Sequence, residues 1–158
     1  MPTPLQLTKS GSEHGHQVAV FAWSAMAERH GFAAADDDKS YTVAGYAEAT
    51  YGQSQAVTDL AWFHAIPNGG ARGDDDTTRK IRGGNLKAEG VRMGIADTFL
   101  PVPRGGYAGL YIEMKKPGEK PTEAQLKFRD FVWSKGYGWM CCDTFTKAID
   151  VLRSYLTQ

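Results

Sequence analysis

Apolar positions recur along this chain with two different spacings, and the change of spacing marks its elements. After Ser12, the positions Val18, Phe21, Ala22, Ala25 and Met26 repeat at helical intervals until Gly31. A serine able to accept from orphan amide groups at one end and a glycine at the other predict a helix to about His30. Residues 33–54 hold no sustained period and are rich in Ala, Asp, Gly and Tyr, so they read as an insertion with at most short elements. Residues 56–64 fit a short helix or the approach to a strand. Ala65-Ile66-Pro67-Asn68-Gly69-Gly70 then fits a strand end running into a loop. Thr78 can cap a helix to Glu89, weakened by Gly83-Gly84 and closed by Gly90.

Strands follow. Residues 98–102 and 109–115 are expected to pair as a hairpin through Pro103-Arg104-Gly105-Gly106. A turn at residues 117–121 leads to Thr122, which can cap a helix whose apolar face is Ala124, Phe128, Phe131 and Val132, ending near Gly136. Residues 137–142 read as a buried strand and 144–156 as a closing amphipathic helix. No internal repeat is present. The order helix, strands, helix, strand, helix predicts an α/β fold, a central mixed β-sheet flanked by helices.

Length changes this picture little: 158 residues suit one domain, residues 1–158, with 33–54 inserted. No apolar run is long enough for a membrane span, and the first twelve residues lack the basic start and apolar stretch of a signal peptide. Cys141 and Cys142 are adjacent, where a disulfide would be strained, so two small apolar residues in a reducing, cytoplasmic setting are expected. Charge changes the picture more. The formal net charge of zero divides unequally: residues 1–76 carry ten acids and four bases, and the rest eight acids and fourteen bases. The bases crowd between Arg79 and Lys127. Asn68, Arg72, Lys87, Arg92 and Lys116 are the expected contacts to a polyanion such as DNA, although dispersed surface cations would give the same count.

Within that basic region lie Gly94-Ile95-Ala96-Asp97 and Tyr111-Ile112-Glu113-Met114-Lys115. On a strand, Glu113 and Lys115 share a face while Ile112 and Met114 take the other. If the strands pair, Asp97 comes alongside, and two carboxylates with one ammonium group form a cradle for a hard divalent cation. A surface ion-pair lattice across a hairpin is the alternative. Other candidates point to less. His14 and His16 are two apart on a helix and do not share a face, so they read as polar residues at a helix start. Asp36-Asp37-Asp38 and Asp74-Asp75-Asp76 lack the spacing of a calcium loop. Asn68-Gly69-Gly70 allows close backbone approach to phosphate or forms a plain turn. Trp23, Trp62, Trp133 and Trp139 sit mostly among apolar neighbours and are expected in the core or at a dimer contact.

Residues 90–97, 111–115 and Thr122-Glu123-Ala124-Gln125 together resemble the VRR-NUC family of nucleases, within the PD-(D/E)XK superfamily of restriction-endonuclease-like fold. Glu13 with Gln17, and Ile66-Pro67-Asn68-Gly69-Gly70, agree with the same pattern and in the same order. The resemblance implies that Asp97 and Glu113 hold Mg²⁺ or Mn²⁺ with the main-chain carbonyl of Met114. It implies that Lys115 orients water and stabilises charge on the phosphate, that Glu13 completes the pocket, and that Gln125 lies near metal-bound water or phosphate. Ala96 stands where the superfamily usually has proline, a backbone stiffener and not a ligand. The expected activity is that of a stand-alone phage or bacterial DNA endonuclease, acting on branched DNA of junction or flap type as a homodimer, in the bacterial cell if phage-encoded. The alternative is a non-catalytic DNA-binding or protein-interaction module with the same fold. A protein partner is expected to engage residues 33–54.

Overall fold

The computed structural model describes residues 1–67, 85 and 88–158. In chain order it contains α1 (Pro4–Leu7), a 3₁₀ turn (Thr8–Ser10), α2 (Glu13–His30), α3 (Phe32–Asp36), α4 (Lys39–Thr42) and α5 (Tyr46–Tyr51). A second 3₁₀ turn (Thr58–Trp62) leads to β1 (His64–Ala65), β2 (Thr98–Leu100), β3 (Leu110–Met114), α6 (Glu123–Ser134), β4 (Gly138–Cys142) and α7 (Phe145–Leu156). The four strands form one sheet in the order β1-β2-β3-β4. β1–β2 and β2–β3 are antiparallel, while β3–β4 is parallel because α6 carries the chain back across the sheet before β4 begins. The mixed sheet and its flanking helices are as expected from the element order. Among the described residues no helix is long and apolar enough to cross a membrane.

Strand alternation divides the molecule into two packed layers. Leu110, Ile112 and Met114 point into the larger core, where Ala19, Val20, Trp23 and Ala27 of α2 meet Phe145, Ala148, Ile149 and Leu152 of α7. On the opposite face, Ala96, Val132 and Trp139 pack with Tyr111, Phe128, Tyr137 and Cys141 beneath α6. Ser12 and Thr122, read from the sequence as caps, each accept from the backbone N–H three positions on, and Thr144 does the same at the start of α7. At the other end of α2, Gly31 adopts φ +87°, and a Cβ there would lie 2.4 Å from the carbonyl oxygen of Gln55. A larger residue cannot fit.

Several expectations need correction. The buried stripe of α2 is Gly15, His16, Ala19, Val20, Trp23, Ser24 and Ala27, whereas Val18 and Ala25 are exposed. The stripe is set by α1, α3, the 3₁₀ turn at Thr58–Trp62 and α7, which cover more of α2 than the sheet does, and Trp23 dominates it. On α6, Phe131 and Ala124 are exposed and Val132 takes the buried position. Trp62 and Trp133 lie outside the core, which of their two expected settings leaves the dimer contact; Trp133 carries the Arg129 guanidinium over its ring at 4.8 Å. Trp23 and Trp139 are buried as anticipated. Met140 is exposed on β4, between the buried Trp139 and the half-buried Cys141. The hairpin strands are shorter than the sequence implied, β2 stopping at Leu100.

Residues 33–54 form the short helices α3 to α5, and their start is tied into the core. Ala34 and Ala35 are buried, Trp23 Nε1 donates to Asp36 at 2.9 Å, and Tyr41 donates to the Ala35 carbonyl at 2.8 Å. The expected helix from Thr78 to Glu89 lies mostly outside the described residues, as do Asp74-Asp75-Asp76 and Gly69-Gly70. At its end, the Glu89 N–H donates to the Asn85 carbonyl at 2.9 Å. Cys141 and Cys142 are both free thiols.

Candidate active site

Asp97 ends the turn that enters β2, and its main chain is fixed by the Ile66 N–H, which donates to the Asp97 carbonyl at 2.7 Å. Its side chain reaches across the hairpin, where Oδ2 accepts from the Met114 N–H at 2.7 Å. The antiparallel register that pairs Thr98 with Ile112 brings this about, because it places residue 97 opposite the end of β3. Thr98 locks the same register by donating through Oγ1 to the Ile112 carbonyl at 3.1 Å. The turn before Asp97 packs on α6 as closely as backbone allows. Gly94 has φ +86°, and a Cβ on it would sit 2.8 Å from that of Ala124.

Glu113 is fully buried on the α6 face of β3. Its Oε1 accepts from Lys115 Nζ at 2.6 Å and from Gln125 Nε2, while Oε2 is buried without a hydrogen-bond partner. Burial is the main cause that pushes the Glu113 carboxyl up to about 7, with the Asp97 charge adding and Lys115 opposing. Lys115 is itself buried. Burial works against its charge, but the bond to Glu113 and the fields of Glu113, Glu13 and Asp97 outweigh it and hold the ammonium group above its usual range. Glu13, in the first turn of α2, is half-buried. Burial raises its carboxyl too, and the charges of Lys115 and Asp97 act on it in opposite senses.

The fold therefore brings together Asp97, Glu113, Lys115 and Gln125 by direct contact, and sets Glu13 within their electrostatic reach. Among the described residues no three of His, Cys, Asp and Glu are gathered as a ready ligand group. Two carboxylates remain the core of the arrangement. They fit a hard cation on one observation: a buried carboxylate oxygen, Glu113 Oε2, lies unpaired beside a second acid. A small divalent ion that keeps most of its water needs few protein oxygens.

Arg92 and Lys116 are exposed, and Lys116 approaches Glu119 at 4.0 Å on the loop beyond Lys115. Asn68, Arg72 and Lys87 lie outside the described residues. His16 is more than a polar helix-start residue: it is buried, and its Nδ1 accepts from the Phe145 N–H at 3.1 Å, joining α2 to the first residue of α7. The sequence also gave no sign that Cys141 stands opposite Glu113 in the parallel register, since that pairing depends on the α6 crossover. Nor did it disclose the Met114 N–H, a backbone donor that every residue type supplies.

No family model matches the sequence, and no match is found among curated proteins. A solved structure described as a VRR_NUC domain protein does match, with a TM-score of 0.60 and 22% identity over 92% of this chain and 88% of the other. The chain thus has the fold of a VRR-NUC domain, the α/β architecture that the order of its motifs implied.

Proposed function

We propose that the protein is a metal-dependent DNA endonuclease that hydrolyses phosphodiester bonds without a covalent intermediate. One observation carries the reading: Asp97, Glu113 and Lys115 converge at the end of the β2–β3 hairpin, with Glu113 fully buried and Lys115 bonded to it. Burying two charged groups at a hairpin end is costly for stability alone, and an exposed ion-pair lattice would not do so. Asp97 and Glu113 would hold Mg²⁺ or Mn²⁺ together with the Met114 carbonyl, and Glu13 would add negative charge at the rim. Such an ion acidifies coordinated water and offsets phosphate charge.

The chain's own groups supply the rest. The Met114 N–H keeps the Asp97 carboxylate turned toward β3. Lys115 presents a fixed cation, which is worth most where water is excluded and where charge builds on a phosphate oxygen. Its ammonium group is held charged by the surrounding acids, which suits positioning and charge stabilisation better than proton abstraction. The exposed Arg92 and Lys116 would contact the DNA backbone, with Asn68, Arg72 and Lys87. Branched DNA of junction or flap type as the substrate and a homodimer as the working form are part of the proposal. So is a protein partner on residues 33–54.

The test is a panel of end-labelled linear, flap and four-way-junction DNAs incubated with Mg²⁺ or Mn²⁺, beside the Asp97→Ala protein and an EDTA control. Cleavage that disappears in both controls supports the reading. Cleavage that persists in Asp97→Ala contradicts it.

A further inference from the structure

The structure treats the two carboxylate oxygens of Glu113 differently. Oε1 accepts from Lys115 and from Gln125, whereas Oε2 has no partner. The asymmetry originates at the start of α6. There the Thr122 N–H donates to Gln125 Oε1 at 2.8 Å, and Thr122 Oγ1 accepts from the Gln125 N–H at 3.4 Å. This reciprocal cap has a chemical consequence for the side chain. A backbone N–H can only donate, so the Gln125 atom facing it is the carbonyl oxygen, and the amide nitrogen is turned toward Glu113. Two donors then fill the lone pairs of Oε1. Gln125 cannot rotate away without breaking the helix cap, and Lys115 is held on the same oxygen by burial.

Building on the metal-dependent reading above, we propose that Gln125 is a positioning residue that sets metal selectivity. By closing Oε1 it offers a cation one oxygen of Glu113 instead of two. Ca²⁺ collects about six to eight oxygens and often takes both from a carboxylate, whereas Mg²⁺ and Mn²⁺ accept a smaller octahedral set completed by water. A carboxylate limited to Oε2 therefore favours the smaller ions. Thr122 contributes by orienting Gln125, and neither residue needs to touch DNA to do so.

The experiment is calorimetric titration of MnCl₂ and of CaCl₂ into the metal-free protein, into Gln125→Ala and into Thr122→Ala. Alanine is a good helix former, so both variants should fold, and thermal melts measure what each loses with the cap. In Gln125→Ala the ratio of the Ca²⁺ to the Mn²⁺ dissociation constant should fall by about tenfold, the lower end of the scale on which groups supporting a metal ligand act. In Thr122→Ala the melting temperature should fall while the ratio holds, because the backbone N–H of residue 122 still grips Gln125. An unmoved ratio in Gln125→Ala overturns the inference. So does an equal fall in Thr122→Ala, which would assign the effect to lost stability. A wild-type protein that binds neither ion overturns the metal-dependent reading along with this inference, and is readily told apart from binding with an unmoved ratio.

Discussion

Glu113 should make the metal-free protein less stable as pH rises, and the effect can be isolated by the single substitution Glu113→Gln. Burial, reinforced by Asp97, lifts the carboxyl from its ordinary 4.5 to about 7 in the folded protein. The folded state thus holds this proton more tightly than the unfolded chain. Stability from this group is fully present below pH 4.5, declines as pH rises, and is gone above about 7. At ~1.4 kcal/mol per pH unit, the difference is roughly 3 kcal/mol. For a chain of this size that corresponds to roughly 6–12 °C in melting temperature. Urea unfolding of both proteins in EDTA from pH 5 to 8 measures it. Comparing the two slopes cancels the titrating groups remote from Glu113, and Lys115 stays charged throughout, so losing its partner shifts the variant's curve without tilting it. The wild type should lose about 2.5 kcal/mol relative to Glu113→Gln across that range. Curves that run parallel would refute the reasoning, since Glu113 would then ionise in the folded protein as easily as in water.

Other consequences can be checked with the same preparations. Gly94→Ala forces an unfavourable positive φ and a collision with Ala124, so unfolding experiments should show a loss of about 2 kcal/mol or more, at the expense of the Asp97 turn. Trp23→Ala empties the centre of the larger core and should cost about 3–5 kcal/mol, whereas Trp133→Ala, half exposed, should cost under about 1 kcal/mol by the same assay. Native protein should react slowly with a thiol reagent: Cys142 is buried and its thiol pushed up to about 12, and burial raises Cys141 as well. Denaturant should expose both thiols to rapid reaction. A fast native reaction at Cys142 would contradict the packing of β4.

Two helix starts were legible in the sequence, because Ser12 and Thr122 act within one turn of their own positions. The facing of Glu113 and Lys115 was legible for the same reason, since strand alternation is local. What escaped depended on contacts between distant segments. The buried stripe of α2 is chosen by α1, α3, the 3₁₀ turn at Thr58–Trp62 and α7, so Ala25, at the right spacing, still faces solvent. Phe131 and Val132 are neighbours, and only the position of β4 decides which is covered. Gln125 was legible from the Thr122-Glu123-Ala124-Gln125 segment, but its bond to Glu113 and the one from the Met114 backbone to Asp97 join distant segments and carry no residue pattern. The segment 33–54 has no sustained period because its helices are short and are ordered by individual bonds, Trp23 to Asp36, Tyr41 to Ala35 and Tyr51 to Asp37.

Lys115 is the sharpest probe of the central claim, because its role in chemistry differs from any role in recognising DNA. Single-turnover cleavage of a labelled substrate, with enzyme in excess and saturating Mn²⁺, should slow by about a hundredfold or more in Lys115→Ala, the scale expected when a fixed charge stabilising the transition state is removed. DNA affinity measured in the same buffer should stay within about threefold, since the cations proposed to contact the backbone, Arg92 and Lys116 among them, remain. Cleavage by Lys115→Ala at the wild-type rate would contradict the account.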